Sequence, residues 1–521
     1  MLSQIICIFA PSIVNHNKLE CMKLRVIKLF ALLACPFLTA SAADVNMKFG
    51  KPTQEEMQMT KYDADPLADA VVLCRLTDVE YTVQTSSFLA DYRERVRIKV
   101  LQPSGTRFAK VVVPYLVNMS VGGDMGGLRS SFMTIPMNRI SGNSAFQEQD
   151  GPMSDGVTGF EGDESVEDIK ATAFNLVGGK VVKTAMKKSA IVKTKIDDNN
   201  YQIEFTVPEV KQGTVIEYEY RVHSSVFWQL HDWYAQREIP VVYAKLDMNI
   251  PNYLIFNIED QGIQRLTYTV TKGSLKYKIE SDPLANPMYV NTNHYVYVGR
   301  DLKAVTNQGY DWNVLDLCAG ITTELKSYRL PGMNQMDYAS SWDKVDQMIL
   351  DSEELGKRLT DHSPLADELK AAGIKDIADQ RERVSAVAQL VMKHVKWNGK
   401  YALCPAPTAE TLKKGEGTNA DINLLLIQSL ADVGIISAPV MLRTRDLGLL
   451  PYNFPSLRKI STFMICVVLP GGKKGFFDAS YLPNGVIGDL PRIMLVERAR
   501  ILYNGRKGEW VNLQQIYGGK K

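Results

Sequence analysis

Nucleophilic chemistry needs a group that can be activated, a base within reach, and a third group that orients the base. The stretch where these would meet is residues 415–426, GEGTNADINLLL, a glycine-containing loop that runs straight into an apolar helix. Thr418 and Asp421 form the [ST]-x-x-[DE] pattern of a capping box, which starts the helix there. Ile422, Leu425, Leu426, Leu430 and Val433 recur at helical spacing, and Gly434 ends the run. Backbone N–H groups and the helix dipole at such a start lower the pKa of a thiol, so a cysteine nucleophile is expected here. The chain has Asn419 instead. An amide cannot be activated as a thiolate is, and the Thr418 hydroxyl needs a base. The histidines stand at 16, 223, 231, 294, 362 and 394, so none follows Asn419. Cys404, in the loop before the helix, and His394, on the preceding helical stretch, are the remaining thiol–imidazole pair in this region. Against that pair stands the ordinary reading of His394 as a helix-surface or packing residue.

The elements that must position these groups follow from periodicity. Residues 383–397 predict a helix with Val384, Val387, Ala388, Val391 and Val395 on one face, ended by Asn398-Gly399. Residues 342–359 also read as helical. Strands are predicted at 438–444, 462–469 and 475–479, the last two joined as a hairpin through Pro470-Gly471-Gly472. Helices followed by an antiparallel sheet make an α+β domain. A helix N-terminus facing a hairpin is a scaffold for Cys–His–Asp chemistry: thiol on the helix, imidazole on one strand, carboxylate on the next.

The first half of the chain reads as β-structure. In residues 92–100, Tyr92, Val96, Ile98 and Val100 alternate with Arg93, Arg95, Arg97 and Lys99. This is a half-buried antiparallel strand, and the basic row reads as a solvated face rather than an anion site. Further strands are predicted at 110–115, 169–175, 180–184, 189–194, 201–207 and 214–222, then near 241–249, 266–272 and 275–280. Short strands between turn signals indicate an all-β sandwich. The long stretch 118–167 lacks periodicity, and its glycine run at 122–127 lacks the strand–loop–helix context of a phosphate cradle, so it reads as a mobile insertion. The aromatic cluster around Trp228 and Trp233 reads as domain packing, with a sugar-stacking surface as its alternative. His223 and His231 lack metal-ligand spacing, so no metal or cofactor is expected.

With 521 residues the chain holds more than one domain. Sixty basic against 58 acidic residues leave a net charge of +2, which gives no footprint for nucleic acid. Met22 begins a basic segment, residues 29–38 are apolar, and Ala40-Ser41-Ala42 is a small-residue cleavage site. This predicts export, with Met22 as the true start. The alternative is a lipoprotein box with Cys35 lipidated. No later stretch reads as a membrane span. Cys74, Cys318, Cys404 and Cys466 remain after cleavage and read as isolated thiols, although one bridge among them stays open.

The C-terminal half resembles a transglutaminase-like (papain-like) domain in residues 395–400, 415–426, 440–445 and 477–479. Residues 81–240 resemble the uncharacterised β-rich domain that precedes such cores in exported proteins of Gram-negative bacteria, best at 208–218 and 233–240. In active members of the family a cysteine stands at the helix start, where this chain has Asn419. A histidine stands near the start of the first hairpin strand, where it has Phe463 or Thr462. An aspartate stands on the second strand, where Asp478 fits. Cys466 lies on the first strand with parity opposite to Phe463 and is expected on the other face. The resemblance therefore implies a degenerate triad, with Thr418, Asp421, Trp397 and Cys404 around the old cleft. The implied plan is a leader over 1–43, a linker over 44–68, a β-rich domain over 69–245, a second β segment over 246–335 and the transglutaminase-like domain over 336–521. The expected function is non-catalytic binding or scaffolding of a peptide, glycan or protein partner in the periplasm or cell envelope. The alternatives are an enzyme rewired through Cys404 and His394, and a glycan-binding surface protein using Trp228 and Trp233.

Overall fold

The computed structural model describes residues 48–84, 87–121, 160–196, 199–277, 288–306, 313–329, 335–481, 487–488 and 490–518. The leader, its cleavage site and Cys35 lie outside these residues, as do positions 122–159 of the expected insertion. Residues Phe49–Lys521 form one unit. It is β-rich, with several sheets and a smaller set of helices.

The first part contains α1 (Gln54–Gln58), β1 (Ala70–Gln84), β2 (Ser87–Val100), β3 (Lys110–Leu116), β4 (Met119–Val121), β5 (Phe160–Gly162), β6 (Glu164–Val177), β7 (Lys180–Ala185), β8 (Val192–Lys195), β9 (Asn200–Thr206), β10 (Val215–Ser224), β11 (Trp233–Tyr234) and β12 (Val241–Pro251). There follow β13 (Leu254–Gln261), β14 (Thr267–Tyr277), β15 (Met288–Leu302), β16 (Gly320–Tyr328) and β17 (Met336–Asp337). An eight-stranded sheet runs β14-β15-β12-β1-β2-β10-β6-β7. All its pairs are antiparallel except β1 with β12, which run parallel. The expected break between residues 245 and 246 falls inside β12, and β14 and β15 extend the same sheet. Smaller sheets, β3-β9-β8 and β11-β16-β13, share the main hydrophobic core with it. The two ends of the expected insertion, β4 and β5, pair with each other.

The linker expected over 44–68 is corrected where it is described: α1 carries its own capping box, Thr53 with Glu56, and docks on the large sheet. It covers part of the basic row of β2. Arg97 and Lys99 are 1% and 0% exposed, so the solvated-face expectation fails for them. Arg97 is held by Glu56 and Glu217, and the Lys99 ammonium donates to the carbonyls of Met57 and Gly213. Burial pulls the Lys99 ammonium down to about 8. Arg93 and Arg95, beyond the helix, remain more exposed and pair with Glu219 and Asp78.

Trp228 and Trp233 are each 4% exposed and pack in the core, which leaves the sugar-stacking alternative without a surface. The Trp233 indole donates to Thr77 Oγ1 at 2.8 Å. His231 Nε2 lies 2.7 Å from Glu164 Oε1, and Glu164 also accepts from the Leu116 amide. Burial is the largest influence and pulls the His231 imidazole down, but the charge and the hydrogen bond of Glu164 together outweigh it and the net direction is up. For Glu164 burial pushes up, and His231 with the Leu116 N–H brings it below its usual range. The His231 contribution is full below the unfolded imidazole value and is lost as pH rises through the folded one. The Glu164 contribution is full above the unfolded carboxyl value and is lost as pH falls through the folded one. His231→Gln is therefore expected to destabilise most at about pH 6, between the two unfolded values, and less at about pH 9. Denaturant unfolding of both proteins across that range measures it, and a pH-independent difference would contradict it.

The last part holds α2 (Trp342–Leu350), α3 (Ala366–Ala371), α4 (Gln380–His394), β18 (Lys396–Trp397), α5 (Thr408–Lys414), β19 (Glu416–Gly417), α6 (Asn419–Asp432), β20 (Ser437–Leu442), β21 (Thr462–Val468), β22 (Lys474–Phe477), β23 (Ala499–Tyr503), β24 (Arg506–Val511) and α7 (Leu513–Tyr517). The helix expected over 342–359 stops at Leu350. The C-terminal sheet runs β22-β21-β20-β23-β24, antiparallel throughout. Helix α6 is buried on every side as far as Leu430, the pattern of a helix at the centre of a domain. Burying Ile422, Leu425, Leu426 and Leu430 supplies roughly 1.5–3 kcal/mol each before entropy is charged.

Candidate functional site

Helix α6 starts as its sequence predicts. Thr418 is the N-cap, its Oγ1 accepts from the Asp421 amide, and the Asp421 carboxylate accepts from the Thr418 amide at 2.7 Å. Gly417 is needed just before the cap. A Cβ there would come within 3.0 Å of Asp421 Cβ and 2.9 Å of Thr411 Cγ2. Gly434 closes the helix at φ +79°, a conformation that favours glycine.

The three positions expected to be a degenerate triad meet. Asn419 Nδ2 donates to Asp478 Oδ2 at 3.1 Å, to Thr462 Oγ1 at 2.8 Å and to the Phe463 carbonyl at 3.3 Å. Register explains the meeting. Thr462 and Phe463 open β21, and Asp478 follows the end of β22 on the same hairpin. Asn423, one turn along α6, adds a second amide: its Nδ2 donates to Asp478 Oδ2 at 2.7 Å and to the Phe463 carbonyl at 2.8 Å. The other carboxylate oxygen accepts from the Ser480 amide at 2.8 Å and from the Ser480 hydroxyl. Asn419, Asn423, Thr462 and Asp478 are all 0% exposed. Burial pushes the Asp478 carboxyl up, and the hydrogen bonds from Ser480, Asn423 and Asn419 pull against it.

The start of α6 is covered, and Asn419 and Asp421 are 0% and 8% exposed. The segment between β18 and α5 lies across the start of α6. Asn419 N donates to the Lys400 carbonyl at 3.1 Å, and Ala402 N donates to Asn419 Oδ1 at 3.0 Å. The Ala406 amide donates to Asp421, and the hydroxyls of Tyr401 and Ser480 are 3.1 Å apart. Trp397 and Tyr401 pack with their rings tilted at 52° and centroids 5.4 Å apart, and the Trp397 indole donates to the Lys400 carbonyl. Thr418, Trp397 and Cys404 are half-buried at the edge of this segment. Sequence reasoning passed over Asn423, Ser480 and Tyr401. An asparagine four residues after Asn419, inside an apolar helix, was the available clue.

The two members of the relocated pair have other neighbours. His394 Nε2 lies 2.8 Å from Glu368 Oε2 on α3, and Cys404 packs against the main core. Cys466 sits with Val440, Met464 and Phe476 in a second core, on the face opposite Phe463, as parity requires. Burial pushes its thiol and that of Cys74 up to about 12. Among Cys74, Cys318, Cys404 and Cys466, Cys404 alone is not buried, and none forms a disulfide. A thiol-directed electrophile acting on the folded protein is expected to reach Cys404 first of these four, at a rate unchanged by His394→Ala. Peptide mapping of the labelled protein checks it, and a rate drop of about tenfold in the variant would show a coupled pair.

Among the described residues no cluster of histidine, cysteine and carboxylate side chains could hold a metal, and no helix is long and apolar enough to cross a membrane. No family model matches the sequence, and no curated protein matches it. Solved structures similar to the chain include the following two. One is a candidate protease from Parabacteroides distasonis, 14% identical over 85% of this chain and 71% of its own, with a TM-score of 0.47. The other is a candidate cysteine protease from Cytophaga hutchinsonii, 14% identical over 49% of this chain and 77% of its own, with a TM-score of 0.18. Likeness at this level does not reach function.

Proposed function

We propose that the chain is an exported envelope protein of a Gram-negative bacterium whose transglutaminase-like domain serves binding or scaffolding and not catalysis. The supporting observation is the Asn419–Asp478 contact. Where the family's chemistry needs a thiolate, this chain has an amide, hydrogen-bonded to the carboxylate at 3.1 Å and shut off from solvent. A hydroxyl, Thr462, stands where an imidazole would be, and it too is spent on Asn419. No group in this cluster can be raised to a nucleophile and reach a substrate. The helix start, the hairpin and the carboxylate act as a packing knot that holds the domain together. The partner is a peptide, glycan or protein met in the envelope, on surfaces other than the covered start of α6.

The purified mature protein is expected to show neither amine incorporation nor peptide cleavage above that of Asn419→Ala. The variant is expected to lose thermal stability instead. Turnover that disappears when Asn419 is changed would overturn the proposal.

A further inference from the structure

A cavity of about 360 Å³ lies on the inner face of the eight-stranded sheet, between that sheet, β3, the segment around Gln229–Trp233, and Arg458 from the C-terminal part. Its size falls within the range of small-ligand sites, about 300–1,000 Å³. It shares no residue with the Asn419 cluster, so it stands whether or not that cluster is inert.

Its body is apolar. Val222, Leu246 and Met248 project from the sheet, are 2–3% exposed, and line the cavity with Trp233. One end is polar, and hydrogen-bonding capacity there is left over. Gln229 Oε1 is buried without a donor among the described residues. Asp232 makes no ion pair among them and accepts one long hydrogen bond, 3.3 Å, from the Thr323 amide through Oδ1. Arg458 spends Nε on Glu324 and Nη2 on the Thr323 carbonyl. Asp232 and Arg458 therefore face one cavity from opposite signs of charge without closing on each other. Arg458 pairs with the buried Glu324, Arg75 with Glu94, and His231 with Glu164, so Asp232 is the wall's ionic group with no ion pair among the described residues.

An apolar body with a carboxylate that has acceptor capacity to spare, and a guanidinium whose pair with Glu324 leaves N–H donors over, is complementary to a zwitterion. We propose that this cavity binds a free apolar α-amino acid. Its ammonium is met by Asp232 and Gln229 Oε1, its carboxylate by Arg458, and its side chain by Val222, Leu246 and Met248. A peptide terminus offers only one of the two charges and is the poorer fit.

Isothermal titration of the purified protein with L-phenylalanine, L-leucine and L-tryptophan tests this. At least one is expected to bind saturably. N-acetylation of that amino acid, which removes the ammonium, and its amide form, which removes the carboxylate, are each expected to weaken binding by about tenfold or more. Asp232→Asn keeps the Thr323 contact and is expected to weaken binding to the same degree with an unchanged melting curve. The analogue series needs no variant, so it decides the matter even if one fails to fold. Absence of binding by all three amino acids overturns the proposal. So does an analogue that binds as well as its parent, which would make a peptide terminus the occupant. An unchanged affinity in a folded Asp232→Asn protein overturns it as well.

Discussion

Asp478→Asn is expected to destabilise the protein nearly as much as Asp478→Ala, by roughly 3 kcal/mol, although it changes one atom. Every group that reaches this side chain is a donor: the amides of Asn419 and Asn423 on one oxygen, the Ser480 N–H and hydroxyl on the other. An NH2 in place of either oxygen sets donor against donor where no water enters, and the whole cluster must rearrange or break. A catalytic or ligand-binding carboxylate would behave differently, because it keeps spare acceptor capacity and tolerates the amide in the resting state. Urea denaturation of the two variants against the parent measures the effect. An Asp478→Asn protein as stable as the parent would mean that the carboxylate is not the centre of the knot.

Glu217→Ala is expected to cost about 3–5 kcal/mol, the usual penalty for stranding a buried charge. Arg97 is 1% exposed, and Glu217 accepts from both its Nε and Nη2. Glu217 also accepts from the Gly50 amide, so its loss frees the segment ahead of α1 as well. Glu56, another partner of Arg97, lies on a five-residue helix. The double replacement Arg97→Met with Glu217→Leu is expected to cost clearly less than Glu217→Ala, because two apolar groups need no desolvated partner. Equal losses in the single and double variants would show that the pair is not acting as a pair.

These two sites also mark what the sequence could disclose. The start and end of α6 were readable because Thr418, Asp421 and Gly434 act through local backbone geometry. The hairpin and the opposite orientation of Cys466 were readable because strand parity is a two-residue rule. The burial of Arg97 and Lys99 was not. Alternation of basic and apolar residues reads the same whether water or a helix bearing Glu56 covers the polar face. The covering of the α6 start was hidden for a different reason: the segment across it holds Asn419 and Asp421 largely through main-chain groups at 400, 402 and 406, which any residue type supplies. Strands β13, β15, β16, β23 and β24, and helix α5, were missed where pairing over long range decides and local pattern does not. The second core, formed by the outer face of the C-terminal sheet, depends on β23 and was missed with it.

The parallel contact of β1 with β12 sets an order on the way this chain reaches its native form. β1 ends at Gln84 and its neighbour begins at Val241, so a nascent chain carries a fifteen-residue strand with one edge bare until the middle of the protein has been made. Contacts of that span are slow to form, and a bare edge offers its backbone to any other strand that passes. Hairpin β1–β2 can assemble early, but the sheet is completed only by a segment arriving much later. The protein is therefore most exposed to aggregation during its own synthesis, at a stage that its finished architecture no longer reveals.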